Sequence, residues 1–292
     1  MGGGAAAKVD AGGQVVAALD ASLYTQGVCR YASWAAHRLA APLACLHVVE
    51  GRGRRNGDGS LADVALDAAA ALLDEAELLE AVGKLGGDAR GQLLLQQAAA
   101  LATRSCEVPV RALLGHGPLV GALSTLAPEA ALFVMGRRGE QSEFEKTRMG
   151  SQVERVVRDI GRPLLVAPRG FTDVRRVLVA FDGSESGRRR LEWVAQSPLF
   201  AGLDIRLVTV GDDAARPALE QALRMLTDAG AQASGRVVHG DPQEVIGLHA
   251  DAIRADLLVI GAYGRSRIHQ LIMGSTTSTL LRSIRIPVLL LH

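Results

Sequence analysis

The sequence predicts an α/β chain of two tandem doubly wound domains, each a five-stranded parallel sheet with helices on both faces. Three observations predict it. The chain repeats itself, its short apolar runs alternate with helical patterns, and its 292 residues suit two domains of ordinary size, each with its own core.

The repeat comes first. Two segments begin alike: QVVAALDAS, ending at Ser22, and RVLVAFDGS, ending at Ser184. Landmarks downstream keep step. Asp20 to Val48 spans 28 positions, and so does Asp182 to Val210. Gly115 to Gly136 and Gly240 to Gly261 both span 21; Gly150 to Pro163 and Gly274 to Pro287 both span 13. Agreement at several independent landmarks means that the copies share one fold. In one place they part. Val48 to Gly115 spans 67 positions and Val210 to Gly240 only 30, so copy 1 carries 37 more residues between its second and third strands.

In copy 2 the apolar runs predict strands near 176–181, 203–210, 234–239, 256–260 and 286–291. Helical patterns fall between them, near 185–196, 215–229, 243–254 and 274–283. Continuously apolar strands suit a parallel sheet covered on both faces, and the β-α-β-α succession supports a doubly wound sandwich. The insertion of copy 1, about residues 50–88, opens on GRGRRNGDGS, a solvated loop by composition. Leu61 to Val82 then reads as a helix, with Leu61, Val64, Leu72, Leu73, Leu79 and Val82 as its apolar stripe. An insertion here leaves from the carboxyl ends of the strands, so two readings stand: a lid over copy 1 or an added outer-layer helix. The copies divide near PRGFTD, Arg169 onwards, which makes residues 1–170 the first domain and 171–292 the second.

The chemistry lies in a glycine loop. In copy 2 the fourth strand, DLLVI, runs into GAYGRSRIHQLIMGSTTS, with the spacing G-x2-G-x9-G-S at Gly261, Gly264, Gly274 and Ser275. Glycines let the backbone turn sharply and approach a ligand closely. Gly274 and Ser275 open the next helix, whose unpaired N–H groups and partial positive charge suit phosphate. Arg265 and Arg267 lie in the loop with no acid beside them. An ordinary strand-to-helix connection with turn glycines would carry the same residues. No G-x4-G-K-[ST] occurs anywhere in the chain, so no P-loop lysine is present.

This loop, the aspartate ending the first strand as VAFDGS, and the valine near the end of the second strand together resemble the ATP-binding type of universal stress protein. The resemblance runs over both copies, residues 14–292. It implies a strand order of 3-2-1-4-5. It also implies a nucleotide site with Asp182 and Val210 around the adenosine and Gly261, Gly264, Gly274 and Ser275 around ribose and phosphates. In copy 1 the matching positions are Asp20, Val48, Gly136, Gly139, Gly150 and Ser151. The implied cofactor is ATP, with or without Mg²⁺. The implied role is stress-response regulation, with at most slow ATP hydrolysis and no catalytic residue singled out. A non-nucleotide interaction scaffold and a weak ATPase are the competing readings. In the resemblance the apolar final strands, PLLVAP and PVLLLH, pair the two domains within one chain, and a homodimer is a further option.

Copy 1 departs from the pattern. Its loop, GRRGEQSEFEKTRMGS, has ten residues between the second and third glycines and carries Glu140, Glu143 and Glu145 against Lys146 and Arg148. Three carboxylates repel a triphosphate unless they point away or hold Mg²⁺. Ala21 also stands where copy 2 has Gly183. Both a nucleotide site and a folded copy poor in nucleotide fit these residues.

Bulk properties exclude other classes. Thirty-two basic residues against 31 acidic give no basic excess for nucleic acid, and 3% aromatics supply no base-stacking platform. Cys29, Cys45 and Cys106 make no disulfide framework or zinc spacing. His47 and His239, in or beside apolar runs, read as core histidines. No apolar stretch reaches membrane-spanning length, and MGGGAAAKVDAGG lacks the apolar segment of a secretory signal, so a cytoplasmic protein is expected.

Overall fold

The structure, a computed structural model, describes residues 13–49, 61–63, 86–137, 151–262 and 275–292. They form two compact units, one ending at Phe171 and the other running Thr172–His292.

The first unit contains β1 (Gln14–Leu19), α1 (Thr25–Leu39), β2 (Leu43–Val49), β3 (Leu61–Asp63), α2 (Gly87–Ser105), β4 (Val110–His116), α3 (Leu119–Leu126), β5 (Ala130–Gly136), α4 (Ser151–Ile160) and β6 (Leu164–Ala167). Its strands lie in the order β3-β4-β2-β1-β5-β6. β1 is central and pairs in parallel with β2 (Val16 opposite Ala44) and β5 (Val16 opposite Phe133). All six of its residues are buried, as a strand covered on both faces requires. The one polar member, Gln14, accepts a hydrogen bond from the Arg111 guanidinium at 2.8 Å. α1 covers the sheet with Val28, Tyr31, Ala32, Ala35 and Ala36, the one-sided spacing of a surface helix.

The insertion departs from the expected helix at its start. Leu61–Asp63 is a short strand that runs antiparallel to β4, with Leu61 opposite Gly115 and Asp63 opposite Leu113. The sheet therefore has six strands rather than five. The outer side of β4 would otherwise present unpaired N–H and C=O groups, and pairing outweighs the helical propensity of three residues. Residues 64–85, the rest of the expected inserted helix, lie outside the described residues.

The second unit contains β7 (Arg176–Ala180), α5 (Glu185–Gln196), β8 (Asp204–Val210), α6 (Arg216–Asp228), β9 (Gln232–Val238), α7 (Pro242–Ala252), β10 (Leu257–Gly261), α8 (Ser275–Ser283) and β11 (Val288–Leu291). Its order from the outer strand is β9-β8-β7-β10-β11, and all neighbours are parallel. This is the order 3-2-1-4-5; domain 1 repeats it with β3 added outside. β9 (QASGRVV) is largely exposed. His239, just beyond it, is exposed too, so it is not the core histidine expected. His47 is buried and its Nδ1 donates to the Leu19 carbonyl at 2.9 Å.

At the amino ends of the domain 2 strands, Asp204 accepts hydrogen bonds from Arg206 (2.7 and 2.9 Å) and Arg176 (2.9 Å), tying β7 to β8. The Arg206 bonds, then those of Arg176 against some desolvation, hold this carboxyl below the usual range. A folded-state pKa below the unfolded value of about 3.9 means that this stabilisation is present above about pH 4 and is lost as pH falls through the folded-state value. Asp204→Asn is expected to lower the urea midpoint at pH 7, and the gap to wild type should close towards pH 3. A gap of constant size across that range would refute the assignment.

The three cysteines are free and buried. Burial pushes the Cys29 thiol up to about 12 and, with Cys29 and Cys106 adding to it, raises Cys45 as well. Since the thiolate is the reactive form, a maleimide at pH 8 should label none of them in the native chain and all three after denaturation. Native labelling of Cys29 would contradict this packing.

Candidate functional site

Each sheet builds its site where its first, central strand ends. In domain 2 the chain leaves β7 through buried Phe181 and reaches Asp182 at the carboxyl end of the sheet. Gly183 then takes a left-handed φ of 71°, and Ser184 caps α5 by accepting from the Gly187 N–H at 3.0 Å. The Ser184 hydroxyl and N–H both donate to Asp182 Oδ1, at 2.6 and 3.0 Å. Asp182 therefore organises the turn after the strand. Its other oxygen, Oδ2, faces the Arg190 guanidinium at 3.8 Å, an ion pair too long to be a hydrogen bond.

Two glycines make this geometry possible. A Cβ on Gly187 would lie 2.4 Å from Asp182 Oδ1. A Cβ on Gly261 would lie 2.8 Å from Arg190 Cζ. The first glycine of the loop thus leaves room for a protein side chain, which a Cβ there would displace. Burial, partly offset by Asp182, lowers the Arg190 pKa from its very high ordinary value, and the group remains a cation. Burial and then the Arg190 charge also hold the His292 imidazole below its usual range.

Gly261 ends β10, and its carbonyl accepts from the Thr277 hydroxyl at 3.0 Å. That bond ties the first turn of α8 to the strand end beside Asp182. α8 begins at Ser275, and its first turn contains no acidic residue. Val210 closes β8, on the other side of β7, and is half-buried. β8 and β10 lie on opposite sides of β7, so Asp182 and Gly261 flank the point where the strand order reverses. Ligands of open α/β sheets bind at that point, outside the carboxyl ends. Gly264 and Gly274 lie outside the described residues.

Domain 1 repeats the frame with different chemistry. Asp20 follows β1 and accepts from the Ser22 hydroxyl at 2.6 Å. Ala21, the counterpart of Gly183, stays out of the left-handed region. The Thr25 hydroxyl bonds the Asp20 carbonyl and, at 2.8 Å, the Ser22 carbonyl. Val48 lies in β2 opposite Gly115, and Gly136 ends β5 opposite Ala167. α4 begins at Ser151 and carries Glu154 in its first turn, which opposes an anion there. Gly139 and Gly150 lie outside the described residues.

The sequence reading missed Arg190, Gly187 and Thr277. Arg188, Arg189 and Arg190 look like an exposed basic run. The available signal was the repeat itself, which aligns Arg190 with Val28, an apolar residue 2% exposed.

The universal stress protein family matches the chain twice in tandem, over residues 13–168 and 173–292. A universal stress protein of Synechocystis sp. is 32% identical over 279 residues, covering 92% of this chain and 96% of that protein. A stress response protein of Bacillus subtilis is 31% identical over 93 residues, 32% of this chain and 56% of that protein. The crystal structure of a universal stress protein from Archaeoglobus fulgidus covers 97% of this chain and 98% of its own, with a TM-score of 0.69 and 19% identity, a likeness of fold. With both halves matched and a full-length relative at this identity, the chain belongs to the universal stress protein family.

Proposed function

We propose that the chain is an adenine-nucleotide-binding regulatory protein of the stress response, with ATP held in domain 2 and no fast catalysis. One observation carries the reading. The acid-free amino terminus of α8 is tethered by Thr277 to the end of β10, beside Asp182 at the reversal of strand order. A helix terminus so placed offers N–H donors and positive potential to phosphates, while Asp182 stands on the side where a sugar would lie. Gly264 and Gly274, which lie outside the described residues, are assigned to the same site by the family's loop spacing. Among the described residues no group of three or more His, Cys, Asp or Glu side chains forms a metal site. A Mg²⁺ ion would enter on the phosphates, as this ion commonly does. The chain carries no P-loop lysine to favour rapid phosphoryl transfer. Domain 1, with Glu154 in the first turn of α4 and three further glutamates in its loop, is the weaker site.

Nucleotide released by denaturing the purified protein, identified by chromatography, tests the reading. ATP is expected. Protein that is empty and that shows no ATP binding in a titration would refute it, and ADP with steady turnover would favour an enzyme. Gly274→Val should lower ATP affinity at least tenfold with little change in melting temperature, because a branched side chain obstructs the phosphate approach. Asp182→Ala should weaken binding about tenfold or more, since hydrogen bonds to charged groups contribute about 1.5–3 kcal/mol.

Gly187→Ala gives an independent check. Alanine in a helix interior ordinarily stabilises by up to about 1 kcal/mol over glycine. Here its Cβ would displace the Asp182 carboxylate. ATP affinity should fall and the usual gain in stability should be missing. A more stable variant with unchanged affinity would show that the position of this carboxylate is immaterial.

A further inference from the structure

Ser184, Gly187 and Arg190 stand three residues apart on one face of α5, and all three meet the same carboxylate. Ser184 donates twice to Asp182 Oδ1, Gly187 leaves the space in which Oδ1 sits, and Arg190 lies 3.8 Å from Oδ2. Gly261, across the site on β10, leaves the space for the guanidinium. The Arg190 side chain is only 10% exposed and that of Asp182 30%. A cation so enclosed is held in place, and removing the carboxylate takes away its ion-pair partner. The corresponding face of domain 1 is Ser22, Thr25 and Val28. Its serine makes the same bond, its threonine turns to backbone carbonyls, and an apolar side chain stands where domain 2 has the cation.

We infer that Arg190 is a positioning residue of the domain 2 site: it fixes Asp182, charged, at the strand end and cancels the repulsion this carboxylate would exert on a polyanionic nucleotide. The inference rests on the proposed nucleotide reading and deepens it. Two demands conflict at such a site. A sugar hydroxyl is best met by an ionised acceptor, whereas phosphates a few ångströms away disfavour an uncompensated negative charge. An ion pair formed from behind satisfies both. Arg190 reaches Asp182 from α5, within the fold, and leaves the carboxylate partly open to solvent. The two copies then support their aspartates differently, because domain 1 places the apolar Val28 at the position of Arg190.

The test is a double-mutant cycle on the full chain: Arg190→Met, Asp182→Asn and both together. ATP is titrated while the backbone amides of Gly183 and Gly261 are followed by NMR, so that domain 2 alone is read. Each single change should weaken ATP binding five- to tenfold. If Arg190 acts through Asp182, the double variant should bind within twofold of the weaker single variant, far from the product of the two losses. Arg190→Lys, which keeps the charge and serves if the methionine variant does not fold, should bind within threefold of wild type. Multiplicative losses, an Arg190→Met variant that binds as well as or better than wild type, or a Lys variant as weak as Met would each overturn the inference while leaving the nucleotide reading standing. A wild-type chain whose Gly183 and Gly261 amides do not respond to ATP overturns both.

Discussion

Everything at the two sites depends on the position of the first strand in the middle of its sheet. A parallel strand cannot reach its neighbour by a hairpin and needs a crossover, here through a helix, back to the amino end. Starting from the centre, the chain builds outward on one side through β2 and β4, or β8 and β9, and then returns to the other through β5 and β6, or β10 and β11. Consecutive crossovers therefore leave the central strand in opposite directions, and a crevice opens at its carboxyl end. Asp20 and Asp182 occupy that end because each directly follows, or lies within two residues of, the buried central strand. The chemistry was placed by topology before any side chain was chosen.

Much of this was legible from residues. The spacing between Asp182 and Val210, and its echo at Asp20 and Val48, marks equivalent strand ends in the sequence alone. Runs such as LLVIG declared buried strands because both faces of a parallel sheet must be apolar. Local pattern failed where a neighbour supplied the missing term. Leu61–Asp63 has helical composition, yet β4 offered it hydrogen bonds. Arg190 carries the chemistry of an exposed residue, yet a carboxylate and a glycine on another strand made an interior position tolerable. Both depend on partners distant in sequence, which periodicity does not register.

The two copies show how a duplicated frame divides its work. The backbone route, the aspartate and the turn serine are shared. Domain 2 adds a left-handed glycine after the aspartate, a hydroxyl tether on α8 and a helix start without acid. Domain 1 instead has Ala21, buried Val153 at the position matching Thr277, and Glu154. Its insertion also pairs a short strand with the outer side of β4, whose counterpart in domain 2 is the largely exposed outer strand β9. The differences concern charge and edge protection, which can change without disturbing the buried sheet.

The contact between Gly261 and Arg190 bears on how such chains are recognised. A glycine at the start of this loop is commonly taken as the mark of a ligand that comes close to the backbone. Here the guanidinium occupies the place of a Cβ, 2.8 Å from its central carbon, so a side chain at this position displaces the arginine. A descendant that had lost its ligand but kept the arginine would still retain the glycine, and its motif would look intact. The glycine and the arginine are therefore expected to be inherited as a pair, and the pair, rather than either residue alone, carries the information about descent.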